Sequence, residues 1–381
     1  MSSYSENKSY NSEHINDSRK YEIENILYHT LPKELLYMIY QYDYFYFYNI
    51  LVNEWKEQNE PIKLILDLNE TGFAALTNDN HIYVYNYFEI KHKIETRMDT
   101  INFLININEK ILAGGDDNMK LWDTNTGELL VTYKGSGDYI TVLNNNIIVT
   151  AEEDGEIYVW NLNNPKPIMS IGHITYIKMI KKFEHNTILV VSKYDKRKIF
   201  IYSIDIEKGL KIKDVIESNS DPIKDIVSLD GKIIYGDVQY DETYHEQTYG
   251  TINIFDGKLT KIDMEYQIPM KLFVINNKII CFAGDIFASH GKFYEINLKL
   301  KTIHPISDNI YVKDHIEMIV KGTEIWTIIN DENFEHNNLL KFNVMNGETK
   351  IYPDFDNISS ISFSNKYIVC GFNDAHIKLY K

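Results

Sequence analysis

Residues 110–134, KILAGGDDNMKLWDTNTGELLVTYK, contain three strand patterns separated by two turn patterns. The run 111–113 (ILA) is apolar, 119–122 (MKLW) alternates apolar and polar residues, and 128–133 (ELLVTY) is a third strand pattern. Glycine, aspartate, asparagine and threonine fill the two turns between them. One such unit is too small to bury its own apolar face, so this stretch predicts neighbours of the same kind.

The same ending recurs along the chain: apolar, any residue, apolar, aromatic, then aspartate, asparagine or serine. One unit has isoleucine in place of the aromatic residue, two units have Glu295 or Lys341 at the second apolar position, and the last unit ends in Lys381. The key positions are Tyr85, Trp122, Trp160, Tyr202, Phe255, Ile296, Phe342 and Tyr380. Their spacing averages about 42 residues, which matches the period of β-propeller blades. We therefore predict an all-β propeller of eight blades over residues 61–381, with seven blades as the alternative.

An aspartate lies six residues before the key position in four of these units. In a tight turn, such a carboxylate accepts hydrogen bonds from backbone or histidine N–H groups, so we predict a structural role for it. These residues are Asp79, Asp116, Asp154 and Asp374. Trp122 and Trp160 are predicted core residues, each contributing about 2–3 kcal/mol through burial.

The stretch DDNMKLWD resembles the short motif of WD repeats, and the resemblance implies a WD-repeat propeller that binds other proteins. Gly172-His173 is similar to the Gly-His pair that opens such repeats. The resemblance implies that His173 shares a hydrogen-bonded tetrad with Ser192, Asp195 and Tyr202, with tyrosine in the usual tryptophan position.

Closure of the ring requires a strand from the N-terminal side, because the chain ends at the third strand of the last unit. The two candidate donor strands differ in polarity. Residues 55–61 are polar, whereas residues 45–52 are apolar.

Residues 1–20 are rich in serine, asparagine and charge, which predicts a disordered tail. In the segment 21–60, Thr30 is a plausible N-cap, and leucine and isoleucine recur at helical spacing over 31–40. LPKELLYMIYQY resembles the opening of an F-box, and Val52 and Trp55 are similar to its later Val and Trp.

The resemblance to an F-box implies binding to a Skp-type adaptor protein through Leu31, Pro32, Leu35, Leu36 and Ile39. A helix with this apolar stripe also fits simple packing against its own domain. The order of an F-box-like helix before WD-like repeats favours a substrate-receptor subunit of a Skp–cullin–F-box ubiquitin ligase, which performs no covalent chemistry itself. The alternative is a WD-repeat interaction scaffold without a role in ubiquitin transfer.

Units four to seven depart from the repeat in the loops between their second and third strands. These loops are 193–198, 237–250, 284–291 and 330–338. Loops on a rigid scaffold accumulate binding residues, so we predict that they hold an unknown target protein. The candidate residues are Lys193, Lys196, Arg197, Lys198, Tyr240, Tyr244 and Tyr249.

The net charge of −16 and the pI near 5.2 argue against nucleic-acid or membrane binding. The two cysteines, Cys281 and Cys370, fall in apolar runs and predict free thiols in a reducing, intracellular compartment, cytoplasmic or nuclear. No catalytic, metal or cofactor motif is present in the sequence. The abundance of asparagine, isoleucine, lysine and tyrosine suits an AT-rich genome, such as that of a large DNA virus or certain protists.

Overall fold

The computed structural model describes residues 51–55 and 60–380 with short gaps. The gaps are 88, 116, 136, 145, 173–175, 194–197, 219–221, 242–245, 265–266, 286–289, 312–317, 331–336, 353–354 and 365–366. The chain divides into a unit of Val52–Leu379 and a second unit, Met1–Leu51 with Tyr380 and Lys381. Only Leu51 and Tyr380 of the second unit are among the described residues.

The described strands form eight sheets, or blades, each built mainly from four strands that are consecutive along the chain. Strand β1 (Leu51–Trp55) comes first. Blade 1 contains β2 (Ile62–Asp67), β3 (Phe73–Thr77), β4 (His81–Tyr85) and β5 (Ile90–Glu95), with a 3-10 helix at Asn69–Thr71; blade 2 contains β6 (Phe103–Asn106), β7 (Lys110–Gly114), β8 (Asn118–Asp123) and β9 (Leu129–Lys134); blade 3 contains β10 (Tyr139–Asn144), β11 (Ile147–Ala151), β12 (Glu156–Asn161) and β13 (Pro167–Gly172); blade 4 contains β14 (Ile177–Lys182), β15 (Thr187–Ser192), β16 (Lys198–Asp205) and β17 (Gly209–Glu217).

The second half of the ring follows the same order, with one extra strand. Blade 5 contains β18 (Ile223–Leu229), β19 (Lys232–Asp241), β20 (Glu246–Phe255) and β21 (Leu259–Asp263); blade 6 contains β22 (Ile268–Ile275), β23 (Lys278–Gly284), β24 (His290–Asn297), β25 (Thr302–Pro305) and β26 (Ile310–Tyr311); blade 7 contains β27 (Met318–Lys321), β28 (Glu324–Asn330), β29 (Asn337–Asn343) and β30 (Thr349–Tyr352); blade 8 contains β31 (Ile358–Ser364), β32 (Tyr367–Phe372), β33 (Ile377–Tyr380) and β1.

The predicted all-β propeller of eight blades is confirmed, because every key position of the repeat falls on the third strand of its own blade. The aromatic residues fill the layers between blades. Trp160 of blade 3 packs edge-on against Tyr133 of blade 2, with ring centroids 5.8 Å apart. Phe342 of blade 7 stacks on Phe293 of blade 6 at 4.5 Å. Each blade thus covers the apolar face of its neighbour, which a single repeat cannot do alone.

The polar residue after the key aromatic has a local role in the next turn. Asp123 Oδ1 accepts the N–H groups of Asn125 and Thr126, at 2.8 and 3.0 Å. Asn297 makes the same two bonds in blade 6, and Asn343 makes one of them in blade 7. The motif therefore ends in aspartate or asparagine because their short side chains cap this turn.

Blade 8 is closed by β1, which pairs with β33 as the outer strand. The strand Leu51–Trp55 lies between the two predicted donors and overlaps the end of each. Val52 and Trp55, which resemble the later part of an F-box, therefore belong to the propeller sheet. Hydrophobic burial decides this placement, because Trp55 is 6% exposed in a cluster shared with blade 1.

In two blades the turn aspartate contacts side chains of its own turn. Asp79 accepts a hydrogen bond from Thr77 Oγ1 at 2.5 Å and lies 2.8 Å from His81 Nδ1. Asp374 Oδ2 lies 3.3 Å from His376 Nδ1. Asp154 occupies the corresponding turn of blade 3 and is exposed. Asp116, His173 and Asp195 lie outside the described residues, so the implied tetrad stays a prediction.

Both cysteines are free and fully buried, as expected. Cys281 lies on β23 and Cys370 on β32, in different blades. Burial raises the pKa of each thiol well above its ordinary range. Both therefore act as small core residues.

Candidate partner-binding face

The loops between second and third strands, together with the links between blades, emerge on one face of the ring. We call this the loop face. It carries the four predicted binding loops of blades 4 to 7. Of the candidate residues, Lys193, Lys198 and Tyr249 are fully described, and Tyr240 is described as part of β19. Lys196, Arg197 and Tyr244 lie outside the described residues.

Neighbouring blades on this face are joined through their inner strands. The ammonium group of Lys178 in blade 4 donates to the carbonyl oxygen of Ile223, the first residue of blade 5. Asp225 in blade 5 accepts the backbone N–H of Leu272 in blade 6 at 3.0 Å. Asp225 is 6% exposed, so its bond to Leu272 lies in a low-dielectric layer where it is strong. Blades 4, 5 and 6 therefore form a fixed scaffold beneath the loops.

Lys193, predicted as a candidate cation for a partner, already has an intramolecular partner. Its ammonium group pairs with the carboxylate of Glu153 in blade 3. The backbone N–H of Glu153 in turn donates to Asp138 Oδ2 at 2.7 Å. Lys193 thus links blades 3 and 4.

Carboxylates surround this junction. Burial raises the pKa of Glu152, and the nearby charges of Asp154, Asp138 and Glu156 raise it further. Burial also raises the pKa of Tyr139, an effect that Glu153 and Asp138 reinforce. The blade 3 side of the loop face is therefore acidic, in keeping with the net charge of the chain.

The stretch 237–250, predicted as a long loop, is largely a β-hairpin. Strands β19 and β20 each run for ten residues, and their pairing continues through Val238↔Gly250, Gln239↔Tyr249 and Tyr240↔Gln247 to Asp241↔Glu246. We call residues 238–241 and 246–250 the blade 5 ribbon. This stretch forms strands and not a loop because it contains valine, threonine and tyrosine, which favour strands. Tyr249 is 38% exposed on the ribbon.

A buried polar network lies at the base of the ribbon. The carboxylate of Asp237 is fully buried and accepts hydrogen bonds from Ser218 Oγ, at 2.7 Å, and from Thr251 Oγ1. Asn253 Nδ2 donates to Thr251 Oγ1 at 3.1 Å. Hydrogen bonds of this kind stabilise a buried carboxylate and fix the orientation of the strands that carry it.

On the other side of the ribbon base, the backbone lies close to Pro269 of blade 6. A Cβ atom at Gly250 would lie 2.2 Å from Pro269 Cδ, and one at Gly236 would lie 2.7 Å from Pro269 Cβ. Gly250 also exchanges backbone hydrogen bonds with the link to blade 6, accepting from Met264 N at 3.0 Å and donating to Gln267 O at 3.1 Å. The ribbon is therefore held from both sides where it leaves blade 5.

Sequence reasoning missed Asp237, Ser218 and Thr251. The available signal was Asp237 itself, which directly follows the run KIIYG in a strand pattern. A charge at a core position indicates a partner for that charge. The sequence did not show which residues donate hydrogen bonds to Asp237, because Ser218 lies in the link between blades 4 and 5.

The predicted adaptor-binding residues Leu31, Pro32, Leu35, Leu36 and Ile39 lie outside the described residues. Among the residues that are described, no group of three or more histidine, cysteine, aspartate or glutamate side chains is arranged to hold a metal ion. No helix in that part of the chain is long and apolar enough to span a membrane.

The fold resembles solved structures despite low sequence identity. The computationally designed Ika8 protein superimposes with a TM-score of 0.64 at 15% identity, covering 85% of this chain and 96% of Ika8. BamB from Moraxella catarrhalis gives a TM-score of 0.62 at 11% identity, covering 87% of this chain and 99% of BamB. No protein-family profile and no curated protein sequence matches the chain. These similarities show the β-propeller fold.

Proposed function

We propose that this chain is a non-enzymatic protein-binding scaffold that acts as the substrate receptor of a Skp–cullin–F-box type ubiquitin ligase. One observation carries the binding role. The loop face departs from the regular repeat in consecutive blades 4 to 7, and hydrogen bonds between inner strands join blades 4, 5 and 6 beneath it. Loops and ribbons presented by a rigid ring provide a preorganised surface for a target protein.

The adaptor part of the proposal rests on the sequence before the ring. The stretch 31–40 carries the Leu-Pro-x-Glu-Leu-Leu opening and the apolar stripe of an F-box helix. It precedes the strand that closes the propeller by about ten residues. The resemblance of this stretch to an F-box is what supports adaptor binding.

A scaffold without a role in ubiquitin transfer is the second candidate, and the closing strand favours it. Val52 and Trp55 form part of blade 8, which leaves the F-box resemblance to rest on the stretch 31–40. In that case the apolar stripe packs within the protein, and adaptor binding is absent.

Affinity capture on an immobilised Skp adaptor separates the two candidates. The full chain is compared with a variant carrying Leu35→Asp and Ile39→Asp, and with a control carrying Lys33→Ala on the same stretch. The receptor predicts capture of the wild type and the control, and at least about a tenfold loss for the double variant. Equal capture of all three proteins, or capture of none, would refute the receptor and leave the scaffold.

A further inference from the structure

We infer that the central channel of the propeller binds a compact polyanion, a small molecule that carries several phosphate groups. Lysine side chains on the inner strands of blades 4, 5 and 6 form the site. The inference goes beyond the proposed function, because it depends neither on the loop face nor on the adaptor-binding stretch.

The strands that line the channel have a charge opposite to that of the whole chain. In a β-propeller the first strand of each blade, its inner strand, surrounds the central channel. The inner strands β2, β6, β10, β14, β18, β22, β27 and β31 contain seven lysines and two aspartates, a net charge of +5, whereas the chain carries −16. Five of these lysines, at positions 178, 181, 182, 224 and 271, belong to the consecutive blades 4, 5 and 6.

Both aspartates of the inner strands accept hydrogen bonds from backbone N–H groups. Asp225 is buried and binds the N–H groups of Leu272, at 3.0 Å, and of Ile226, at 2.9 Å. Asp67 Oδ1 accepts the N–H of Asn69 at 2.9 Å, in the turn that follows β2. On the described inner strands, every charged side chain that is exposed is a lysine. These are Lys63, Lys181, Lys182 and Lys271.

Hydrogen bonds to neighbouring inner strands hold two lysines of blade 4 against the channel wall. Lys182 Nζ donates to the carbonyl oxygen of Leu143 in β10 at 2.6 Å. On the other side, Lys178 Nζ donates to the carbonyl oxygen of Ile223 in β18. A carbonyl oxygen carries no net charge, so these bonds fix the ammonium groups in position without neutralising them.

Lys181 and Lys271 lie on either side of blade 5. Lys181 Nζ is 4.0 Å from Asp225 Oδ1, and its side chain is 49% exposed. Lys271 directly precedes Leu272, whose N–H binds the other oxygen of the same carboxylate. Between them, burial lowers the pKa of Lys224 on β18, and an anion beside a partly desolvated ammonium group replaces the stabilisation that water gives elsewhere. Three adjacent inner strands thus contribute lysines to one part of the channel.

Charge and enclosure favour a compact ligand over a large one. Asp138 lies just before β10 and Glu184 just after β14, so carboxylates stand at the ends of these inner strands. With the net charge of −16, they repel a nucleic acid or an acidic protein, whereas a small ligand that enters the channel meets the lysines. Since an ammonium group binds phosphate as a point charge, several lysines around one ligand suit a molecule with several phosphate groups.

Isothermal titration calorimetry of the full chain with tripolyphosphate, in metal-free buffer, tests the inference. We expect one binding site at about 50 mM NaCl, with affinity at least about tenfold lower at about 500 mM, where charges are screened. The variant with Lys181→Gln and Lys271→Gln should bind at least about tenfold more weakly. Its matched control, Lys211→Gln and Lys213→Gln on the exposed outer strand of blade 4, loses the same charge and should bind within about twofold of the wild type.

Two further measurements separate a site in the channel from general attraction between charges. Lys181→Arg with Lys271→Arg keeps both positive charges and should bind within about threefold of the wild type. Acetylation of the wild type by acetic anhydride, read by mass spectrometry, shows which amines the ligand covers. Tripolyphosphate should slow acetylation of Lys181 and Lys271 at least about threefold and leave that of Lys211 and Lys213 unchanged.

The inference is overturned if tripolyphosphate does not bind, if the inner and outer glutamine variants lose affinity equally, or if Lys181 and Lys271 gain no protection. A hexaglutamate peptide that binds more tightly than tripolyphosphate would also overturn it, because the ligand would then be an acidic segment of a protein. If the inner glutamine variant fails to fold, acetylation of the wild type still decides. Adaptor capture depends on residues 31–40, so each proposal can fail while the other stands.

Discussion

The indole ring of Trp55 packs against the phenol ring of Tyr85, with ring centroids 5.1 Å apart and ring planes inclined by 59°. Trp55 is the last residue of β1 in blade 8, whereas Tyr85 ends the third strand of blade 1. Phe73 completes the cluster, with its centroid 5.6 Å from that of Trp55. The closing strand thus joins the first and last blades by side-chain packing as well as by pairing with β33.

Replacing Trp55 by alanine should lower the free energy of unfolding by about 3 kcal/mol, because the substitution leaves a cavity at the seam of the ring. Urea denaturation followed by far-UV circular dichroism measures the change. Ile351→Ala, at a residue 48% exposed on the outer strand of blade 7, is the matched control and should cost less than about 0.5 kcal/mol. Equal losses for the two variants would contradict a special role for the closing strand.

The tryptophan of blade 3 offers a second test. Trp160 Nε1 donates to Thr150 Oγ1 at 2.9 Å, and both side chains are fully buried. Thr150→Val leaves the indole N–H without its acceptor and should cost about 1–3 kcal/mol. Thr150→Ser keeps the hydroxyl and should recover most of that loss relative to valine in the same denaturation assay. A serine variant no more stable than the valine variant would show that packing, and not the hydrogen bond, matters at this position.

The turn aspartate of blade 1 should show a measurable shift in its titration. Burial raises the pKa of Asp79, but hydrogen bonds from Thr77 and His81 outweigh burial and hold that pKa below its ordinary value of 3.8. A depressed pKa in the folded state gives stability that is present above pH 3.8 and is lost as the pH falls through the folded value. Thr77→Val should therefore raise the pKa of Asp79 and destabilise the protein at neutral pH more than at pH 3.

Carbon-13 NMR titration of the labelled aspartate carboxyl group follows this pKa directly. Thr77→Ser retains the hydroxyl donor and serves as the control, so its titration should match that of the wild type. An unchanged pKa of Asp79 in the valine variant would assign the shift to His81 alone.

The ribbon base predicts a contrast between two glycines in strands. At Gly250 an added Cβ meets Pro269 Cδ at 2.2 Å, whereas at Gly172 the nearest atom is the flexible Glu156 Oε1 at 3.3 Å. Gly250→Ala should destabilise the protein by about 1–3 kcal/mol through overpacking. Gly172→Ala should be near neutral, within about 0.5 kcal/mol. Thermal denaturation of both variants checks the difference, and a neutral Gly250→Ala would mean that the ribbon base can shift.

The regular part of the fold was predictable because its signals are local. Trp122 and Trp160 mark third strands, and the aspartate or asparagine that follows caps the next turn with its own side chain. Strand alternation, turn residues and their spacing all lie within one repeat. Ile296, the exception to the aromatic rule, still occupies a third strand and is 3% exposed, since the position requires apolar bulk.

The irregular loops of blades 4 to 7 were recognisable in the sequence, but their structure was not, and their binding of a partner stays a prediction. The loops of blades 4 to 7 were identified because their length and sequence differ from those of the corresponding loops in the regular repeats. Lys193 stays a predicted partner-binding residue, and within the chain it pairs with Glu153 across blades. The stretch 237–250 was expected to be a loop, yet most of it pairs as a hairpin. Contacts between distant parts of the chain decide both outcomes.

The sequence by itself determined the repeat and the all-β propeller, with eight blades predicted and seven as the alternative, because each blade is encoded by residues that neighbour one another in the chain. Only the tertiary structure decided which strand closes the ring, which charges are already paired and where Asp237 finds its hydrogen-bond donors. Trp55 and Tyr85, or Ser218 and Asp237, meet through folding of the whole ring. Such contacts depend on burial and geometry that no local pattern encodes.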